Sequence, residues 1–306
     1  MSDLSYLQAT TIGLLQGVTE LFPISSLGHS VLVPAWIGGS WRHLVTEQSA
    51  SGDAPYLTFI VAVHCATALA LVVYYAGAWV RIVGGLLTSI RDRRIATTTQ
   101  RLAWLIVLAT IPAGILGLAL EHELRTVFAK PVAAAAFLIG NGVVLMLGEQ
   151  LRRRSQAAPT EVSHRHSVSG SQRVAEAEAL VITRVGVRDA IAVGVAQSGA
   201  LLAGISRSGV TMVAGLFRGL DRESAANFAF LLATPIILAA GIYKLPELAQ
   251  SSASGIRGPT LAGALVAGLA AYAAIRFLTR YFENRGLTPF AIYCLLFGVA
   301  SIVRFG

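Results

Sequence analysis

Six long apolar stretches constrain this sequence more than any other feature. They run over residues 57–76, 102–120, 131–149, 226–244, 260–279 and 288–305. An α-helix needs about 20 predominantly apolar residues to cross the hydrocarbon core of a bilayer. The chain is 55% hydrophobic and only 13% charged, about half the charged fraction of soluble domains. The sequence therefore predicts an all-α integral membrane protein with six transmembrane helices, and it excludes a soluble enzyme and a disordered chain.

Two further apolar regions, 8–36 and 190–217, are interrupted by residues that break helices. The first is expected to break at Pro23 and again at Gly28, and the second at the glycines of segment 204–209. Unpaired backbone groups at membrane depth are tolerated only where they are buried in protein or line a wet cavity. We therefore predict two re-entrant helical hairpins. A kinked helix that crosses the whole membrane is the alternative.

The chain also contains an internal repeat. Residues 12–28 align with residues 193–209 without gaps, and six of the 17 aligned positions are identical. A weaker match aligns the stretch around Pro131 with the stretch around Pro289. Each half thus has one broken hairpin followed by three spans, and because three is odd, the second hairpin must enter from the opposite face.

This arrangement is an inverted repeat, whose functional site is expected where the two hairpins meet near the midplane. We predict a single membrane domain over residues 1–306. Its first half is 1–149, its second half is 189–306, and a loop at 150–188 joins them.

Arginine and lysine placement predicts the orientation. The loops on one side carry 17 of these residues, and the loops and tail on the other side carry six. The basic side comprises 77–101, 150–189, 216–225 and 276–286. Cytoplasmic loops are enriched in basic residues, so this side, with the 150–188 loop, is predicted to be cytoplasmic and both termini outside. The net charge of +8 therefore reflects topology and does not indicate a nucleic-acid partner.

Two other segments are predicted to lie outside the hydrocarbon core. Residues 79–94 are too short and too basic to span, so we expect them at the membrane interface. Within the polar 150–188 loop, the His-Arg-His sequence at 164–166 resembles a metal pair. Because it has no partner cluster, we interpret it as part of the loop. Cys65 and Cys294 have no metal or disulfide spacing, and we interpret both as packing residues.

Glu20 is a carboxylate within an apolar sequence. A charged side chain at bilayer depth costs about 2.5–3.5 kcal/mol on insertion scales, and such residues are usually functional. Gln16 precedes Glu20 by one helical turn, so both side chains occupy one helical face. Their oxygens suit a hard divalent cation, Mg²⁺ or Ca²⁺. A structural ion pair between Glu20 and an arginine is the alternative.

Ser25, Ser26, Gly28 and His29 follow directly after the first break. A serine beside a histidine can act as an activated nucleophile, and a histidine can protonate a leaving oxygen. We predict Ser26 as the nucleophile or a direct phosphate ligand, Ser25 as a substrate ligand and His29 as the proton donor. The alternative is that Ser25 caps a helix and His29 is a hydrogen-bonded core residue.

The second break has the composition of an anion site. Glycines let the backbone approach an anion, and the following helix offers its first N–H groups. Arg207 supplies a planar fork that matches phosphate oxygens. The predicted substrate ligands beside Arg207 are Gly204, Ser206, Ser208, Gly209 and Thr211. A glycine- and serine-rich packing bend with a snorkelling Arg207 is the alternative.

Small residues precede both breaks. We interpret them as positions that let helices approach closely: Gly13 and Gly17 before the first break, and Gly194 and Ser198 before the second.

The two predicted hairpins together carry an acid, an imidazole, hydroxyls and one arginine inside a membrane. This set suits a phosphate-bearing amphiphile whose tail stays in lipid.

These residues resemble the two signature regions of the bacterial undecaprenyl-diphosphatase family, also called the bacitracin-resistance protein family. Residues 16–29, QGVTELFPISSLGH, resemble its Glu/Gln-x-x-x-Glu element and the Pro-x-Ser-Ser-x-Gly-His turn that follows. Residues 204–211, GISRSGVT, resemble its Pro-Gly-x-Ser-Arg-Ser-Gly-x-Thr element. The resemblance covers nearly the whole chain, including FAFLLATP at 228–235.

The resemblance implies hydrolysis of undecaprenyl diphosphate to undecaprenyl phosphate and inorganic phosphate with a divalent cation. This reaction recycles the lipid carrier for peptidoglycan synthesis and confers bacitracin resistance. It also implies a multi-pass protein of the bacterial cell membrane. Glu20 and Gln16 match the acidic motif and Arg207 the phosphate-binding arginine. His64 is matched to a polar family position, with a hydrogen-bonded span residue as the alternative.

The sequence departs from the family pattern at two positions. Gln16 stands where many members have glutamate, which removes one charge from the expected metal site, and Ala203 stands where proline is usual.

A transporter or flippase for a polyprenyl phosphate lipid remains the alternative function, because inverted repeats with broken helices are common in transporters. A non-catalytic scaffold leaves Glu20 and Arg207 without a role. An oligomer is compatible with the sequence.

Overall fold

The computed structural model describes residues 4–41, 44, 55–120, 130–155, 184–244 and 255–306. Within these residues the chain forms eleven α-helices and no β-strand. In chain order the helices are α1 (Tyr6–Thr19), α2 (Ser26–Ile37), α3 (Pro55–Tyr74), α4 (Ala76–Arg91), α5 (Thr98–Ala119), α6 (Pro131–Ser155), α7 (Val187–Ser198), α8 (Arg207–Phe217), α9 (Arg222–Lys244), α10 (Arg257–Asn284) and α11 (Thr288–Phe305). One turn of 3₁₀-helix follows α2 and another follows α7.

Five of these helices, α5, α6, α9, α10 and α11, are long and apolar enough to cross a membrane. The sixth predicted span corresponds to α3. It meets the same criterion only together with α4, from which it is bent by 89°. The prediction of a helical membrane protein with up to six spans is therefore confirmed by length and composition. The interfacial location of 79–94 stays a prediction, although the sharp bend before α4 is compatible with it.

The structure corrects two predicted boundaries. Gly28 does not break the chain, because it lies in the first turn of α2 and donates its N–H to Ser25 Oγ at 3.2 Å. The predicted loop 150–188 begins later than expected, since α6 continues to Ser155. The His-Arg-His sequence at 164–166 lies outside the described residues.

Close helix packing is confirmed at the glycines Gly13 and Gly194. A Cβ atom built on Gly13 would overlap the Gly263 carbonyl oxygen of α10, and one built on Gly194 would lie 2.5 Å from the Ala109 carbonyl oxygen of α5. Ser198 donates to the Gly194 carbonyl at 3.1 Å and so stays within its own helix. The two helices that precede the breaks, α1 and α7, therefore each lie directly against a spanning helix.

Helix α9 lies at the centre of the protein. The most apolar 18-residue stretch of α9 is 67% buried, against 28–39% for the corresponding stretches of the other four spanning helices. Its inner residues include Phe228, Phe230 and Leu232, which are almost fully buried. Helices α3 and α5 pack beside α9, and α6 packs along α11. This arrangement surrounds the two broken regions with spanning helices.

Candidate active site

The two breaks in the helices meet inside the protein. We call residues 20–25, between α1 and α2, the first tip, and residues 199–206, between α7 and α8, the second tip. Gly204 donates its N–H to Ser25 Oγ at 3.0 Å, and Ser208 Oγ donates to the Phe22 carbonyl at 3.3 Å. The expectation that the two broken regions come together is confirmed.

Both tips end in the same type of helix cap. Ser25 Oγ accepts from the Gly28 N–H at 3.2 Å, and Ser206 Oγ accepts from the Gly209 N–H at 3.1 Å. A serine in this position satisfies one of the unpaired N–H groups at the start of a helix. Ser25 has a φ of +68°, which a non-glycine residue adopts rarely.

Asn141 joins the two tips from α6. Its Nδ2 donates to the Pro23 carbonyl at 2.9 Å, and its Oδ1 accepts from the Ser206 N–H at 3.0 Å. The side chain is fully buried. Asn141 is not among the predicted site residues, although a lone asparagine within the apolar stretch 131–149 is a signal that the sequence offers.

Glu20 is the hub of the polar cluster at the tips. Its Oε1 forms an ion pair with Arg207 Nη2. Its Oε2 accepts a hydrogen bond from Ser26 Oγ and another from Gln16 Nε2 at 2.9 Å, and it lies 3.3 Å from His64 Nε2. The residue is 8% exposed. A buried carboxylate is tolerated where partners of this kind satisfy it.

His64 enters the site from α3, and a contact of its Nδ1 atom sets the orientation of the ring. Nδ1 lies 2.8 Å from the Ile60 carbonyl, one turn earlier. A carbonyl only accepts, so Nδ1 carries a hydrogen, and Nε2 faces a carboxylate that also accepts. Nε2 thus lies against Oε2, the same carboxylate oxygen that accepts from Ser26 and Gln16.

The polar cluster forms one end of a cavity of about 520 Å³. Glu20, Ser25, Ser26, His64, Ser206 and Arg207 line its polar end. Its remaining wall is mostly apolar and comes from α2, α3, α5, α7, α9 and the second tip. Residues of this wall include Val61, Gly117, Leu118, Ile236, Ala240 and Tyr243. The cavity therefore matches a molecule with an anionic head and an apolar body.

His29 does not line this cavity. Its Nδ1 lies 2.7 Å from the Ser25 carbonyl, and its Nε2 lies 2.7 Å from the Tyr293 hydroxyl. Its ring stacks on Tyr293 and Phe297 at centroid distances of 5.6 and 5.5 Å. The structure thus brings Ser26 to Glu20 but places His29 against α11. This position agrees with the alternative that His29 is a hydrogen-bonded core residue.

The remaining predicted ligands lie behind the cavity wall. Ser208 Oγ is 3.0 Å from Ser206 Oγ, and a Cβ built on Gly204 would overlap the Ala134 carbonyl of α6. Gly209 donates its N–H to the capping Ser206 Oγ, and Thr211 is buried with no hydrogen-bond partner for its hydroxyl. These four residues are placed to shape the second tip, whereas Ser206 and Arg207 face the cavity.

The residues around Glu20 do not fit a resident divalent cation. Such an ion takes several oxygen ligands, usually with more than one carboxylate when the protein alone holds it. Among the described residues, Glu20 is the only carboxylate lining the cavity, and Arg207 and His64 already contact its oxygens. Gln16 contributes one buried amide oxygen without a partner. No cluster of three potential ligands among His, Cys, Asp and Glu occurs in the described ranges.

The fold and the site define an all-helical, multi-pass membrane protein with a buried ionic cluster at the head of an apolar cavity. The family model described as "Bacitracin resistance protein BacA" matches residues 9–300. The chain belongs to this family.

Similar proteins carry consistent names. The chain is 54% identical to "Undecaprenyl-diphosphatase 2" of Frankia alni, over 100% of this chain and 99% of that protein. It is 54% identical to "Undecaprenyl-diphosphatase" of Mycolicibacterium paratuberculosis, over 99% and 98%. It is 40% identical to "Undecaprenyl-diphosphatase 2" of Chromobacterium violaceum, over 97% and 98%.

The bridging role of Asn141 generates a stability prediction. Asn141→Ala leaves the Pro23 carbonyl and the Ser206 N–H buried without their partner, and each such group costs about 1–3 kcal/mol. We expect a clear fall in the midpoint of thermal unfolding of the purified protein in detergent. Gln150→Ala, at an exposed position of the same helix, is the matched control. Equal midpoints for the two variants would contradict the bridge.

Proposed function

We propose that this protein is an undecaprenyl-diphosphatase, which hydrolyses undecaprenyl diphosphate to undecaprenyl phosphate and inorganic phosphate. One observation carries the proposal: Glu20, Ser26 and Arg207 converge at the head of an otherwise apolar cavity. The names of relatives that align over the full chain support it. The reaction would regenerate the lipid carrier for peptidoglycan synthesis and so confer bacitracin resistance.

We also propose that α1–α2 and α7–α8 are re-entrant hairpins related by an inverted repeat. The aligned glycines Gly13 and Gly194 lie at equivalent crossings with α10 and α5. The aligned serines Ser25 and Ser206 cap the helices that follow the tips. Helices of 11 to 14 residues are too short to span a bilayer alone, since spanning takes about 20 residues.

The cavity is proposed to open on the outer side of the cell membrane. It lies towards the C-terminal ends of α5 and α9, and the loops after these ends belong to the side that carries few basic residues. Undecaprenyl diphosphate in the outer leaflet would then reach the site with its tail in lipid.

Cysteine labelling tests this orientation. We expect a cysteine introduced at Ser2 to react with an impermeant thiol reagent in intact cells, because the N-terminus is placed outside. A cysteine introduced at Ser169, within the loop placed in the cytoplasm, is expected to react only after permeabilisation. Reversed labelling would contradict the orientation.

Substrate binding would redistribute the contacts of Arg207. A diphosphate carries more negative charge than one carboxylate, and the arginine fork matches phosphate oxygens. Arg207 is therefore proposed to turn from Glu20 to the terminal phosphate. Glu20 then keeps its hydrogen bond from Ser26 and becomes a stronger base, while His64 holds it in place.

In the proposed first step, Ser26 Oγ attacks the terminal phosphorus and Glu20 accepts the hydroxyl proton. The bond from that phosphorus to the bridging oxygen breaks, and undecaprenyl phosphate leaves with the bonding electrons. In the second step, water displaces Ser26 Oγ from the phosphorus and Glu20 returns the proton to Ser26. The released phosphate carries both hydrogens of the water. Arg207 stabilises the charge on the phosphoryl oxygens in both steps.

The alternative is that a metal-bound water would be the nucleophile and Ser26 would only orient the phosphate. Ser26→Ala separates the two. If Ser26 is the nucleophile, the variant is expected to lose almost all phosphate release; if water attacks, substantial turnover remains.

The same assay with a chelator tests the predicted Mg²⁺ or Ca²⁺. Because the described lining of the cavity offers one carboxylate, we expect any required ion to arrive with the diphosphate, as Mg²⁺ often does. Full activity in excess chelator would contradict the predicted cation.

Phosphate release from undecaprenyl diphosphate by the purified protein in detergent tests the function. The same assay on variants of Arg207 tests the site. Losing an aligned charge-assisted contact in the transition state costs about 3 kcal/mol, or about a hundredfold in rate. We expect Arg207→Ala to lose at least that much, and Arg207→Lys to recover a minor part because lysine lacks the fork.

Arg218→Ala is the matched control for Arg207. Arg218 ends the same helix and pairs with Asp189 at the surface at 3.0 Å, and such pairs contribute about 0–1 kcal/mol. A folded Arg207→Ala protein with the rate of the Arg218 control would exclude the second tip from phosphate binding. A wild-type protein that released no phosphate but moved the lipid across vesicles would instead support the transporter alternative.

The two histidines are expected to differ in their effects. His64→Gln removes a partner of the charged Glu20, and hydrogen bonds to charged groups contribute about 1.5–3 kcal/mol, so we expect phosphate release to fall about tenfold or more. His29→Gln breaks contacts with Ser25 and Tyr293, so we expect a lower unfolding midpoint with a nearly normal kcat. If His29 is the proton donor, as the sequence predicts, its loss lowers kcat by about a hundredfold or more.

A further inference from the structure

A second cavity, of about 460 Å³, lies at the C-terminal end of α10. Its lining residues are Arg276, Phe277, Arg280, Tyr281, Asn284 and Arg285. The active-site cavity lies towards the C-terminal end of α9, and α10 runs back from that side. The two cavities therefore lie towards opposite ends of the helical bundle. We call the second one the arginine cavity.

The three arginines of this cavity have no acidic partner within the described ranges. The nearby buried carboxylate, Glu149, is already engaged. It pairs with Arg222, with Arg152 at 3.2 Å and with Arg153 at 3.5 Å. It also accepts from the Leu287 N–H at 3.3 Å. Three positive charges therefore share one cavity without a counterion from the described part of the protein.

The geometry concentrates these charges. Arg276 and Arg280 are one helical turn apart, so their side chains lie on the same face of α10, and like charges at this spacing repel each other. Arg285 follows the last turn of the helix. An anion bound between the three guanidinium groups would relieve this repulsion. Arginine forks match the geometry of phosphate and carboxylate oxygens.

The aromatic residues of the cavity indicate where that anion comes from. Phe277 is 52% exposed, and its ring lies 5.7 Å from the ring of Tyr281. The Tyr281 hydroxyl donates to the Gly286 carbonyl at 3.3 Å, which fixes the ring at the helix end. Aromatic rings beside arginines at the end of a spanning helix are typical of the membrane–water interface. A ligand here contacts apolar surface and cations together.

We propose that the arginine cavity binds the phosphate of an anionic phospholipid headgroup in the leaflet at this end of the bundle. The arginines hold the phosphate oxygens, and Phe277 contacts the start of the acyl region. Basic residues next to the end of a spanning helix attract anionic headgroups. The site is separate from the proposed reaction and does not depend on it. Free inorganic phosphate shares the chemistry of the headgroup and is distinguished below.

Native mass spectrometry of the full-length protein in detergent tests the proposal. Phosphatidylglycerol is titrated, with phosphatidylcholine as the zwitterionic comparison and inorganic phosphate as a competitor. The variant combines Arg276→Gln, Arg280→Gln and Arg285→Gln. The control combines Arg93→Gln, Arg94→Gln and Arg101→Gln, which removes the same charge from exposed positions around the α4–α5 connection.

We expect wild type and control to retain phosphatidylglycerol in preference to phosphatidylcholine, and the cavity variant to lose at least tenfold in affinity. A phosphatidylglycerol-dependent rise in the unfolding midpoint should disappear in the cavity variant alone. Displacement of the lipid by millimolar inorganic phosphate would assign the site to free phosphate and overturn the lipid assignment.

Equal phosphatidylglycerol binding by wild type and cavity variant would overturn the proposal, and so would an equal loss in the control. If the triple variant does not fold, Arg280→Gln and Arg280→Lys replace it. Arg280→Gln is then expected to weaken binding more than Arg280→Lys, because lysine keeps the charge. Unchanged binding in both would also contradict the site.

Discussion

The ion pair between Glu20 and Arg207 is the interaction on which the rest of the site depends. It joins residues 187 positions apart in the chain and lies where the first tip meets the start of α8. Breaking a buried pair by removing one partner costs about 3–5 kcal/mol, because the other charge is left uncompensated. The pair therefore orders the tips before substrate arrives, and it keeps Arg207 beside the carboxylate that is proposed to activate Ser26.

The surrounding structure can be understood as support for this pair. Gly13 and Gly194 allow α1 and α7 to lie directly against spanning helices, which brings both tips to the interior. Asn141 then fixes one backbone group of each tip. Because the backbone at the tips is broken, these side-chain contacts replace the hydrogen bonds that a continuous helix would supply.

Local sequence patterns predict much of this arrangement. They do not predict the contacts that depend on packing between helices distant in the chain. The apolar stretches, the break near Pro23 and the pairing of the two tips followed from hydropathy and the repeat. A buried charge at Glu20 or Arg207 was informative because it is costly in lipid. The three-residue spacing between Ser26 and His29 predicts that both lie in one site, but the packing of α11 turns His29 towards Tyr293. His64 comes from another helix, and no local spacing links it to Glu20.

A double-mutant cycle on Glu20 and Arg207 tests the central claim most directly. The free energy of unfolding in detergent is measured for wild type, Glu20→Gln, Arg207→Gln and the double variant. Contacting residues show coupling of about 0.5–3 kcal/mol. We predict coupling in the upper half of that range, with the double variant less destabilised than the sum of the single variants. Additive effects would show that the two tips are not joined through this pair and would contradict the account.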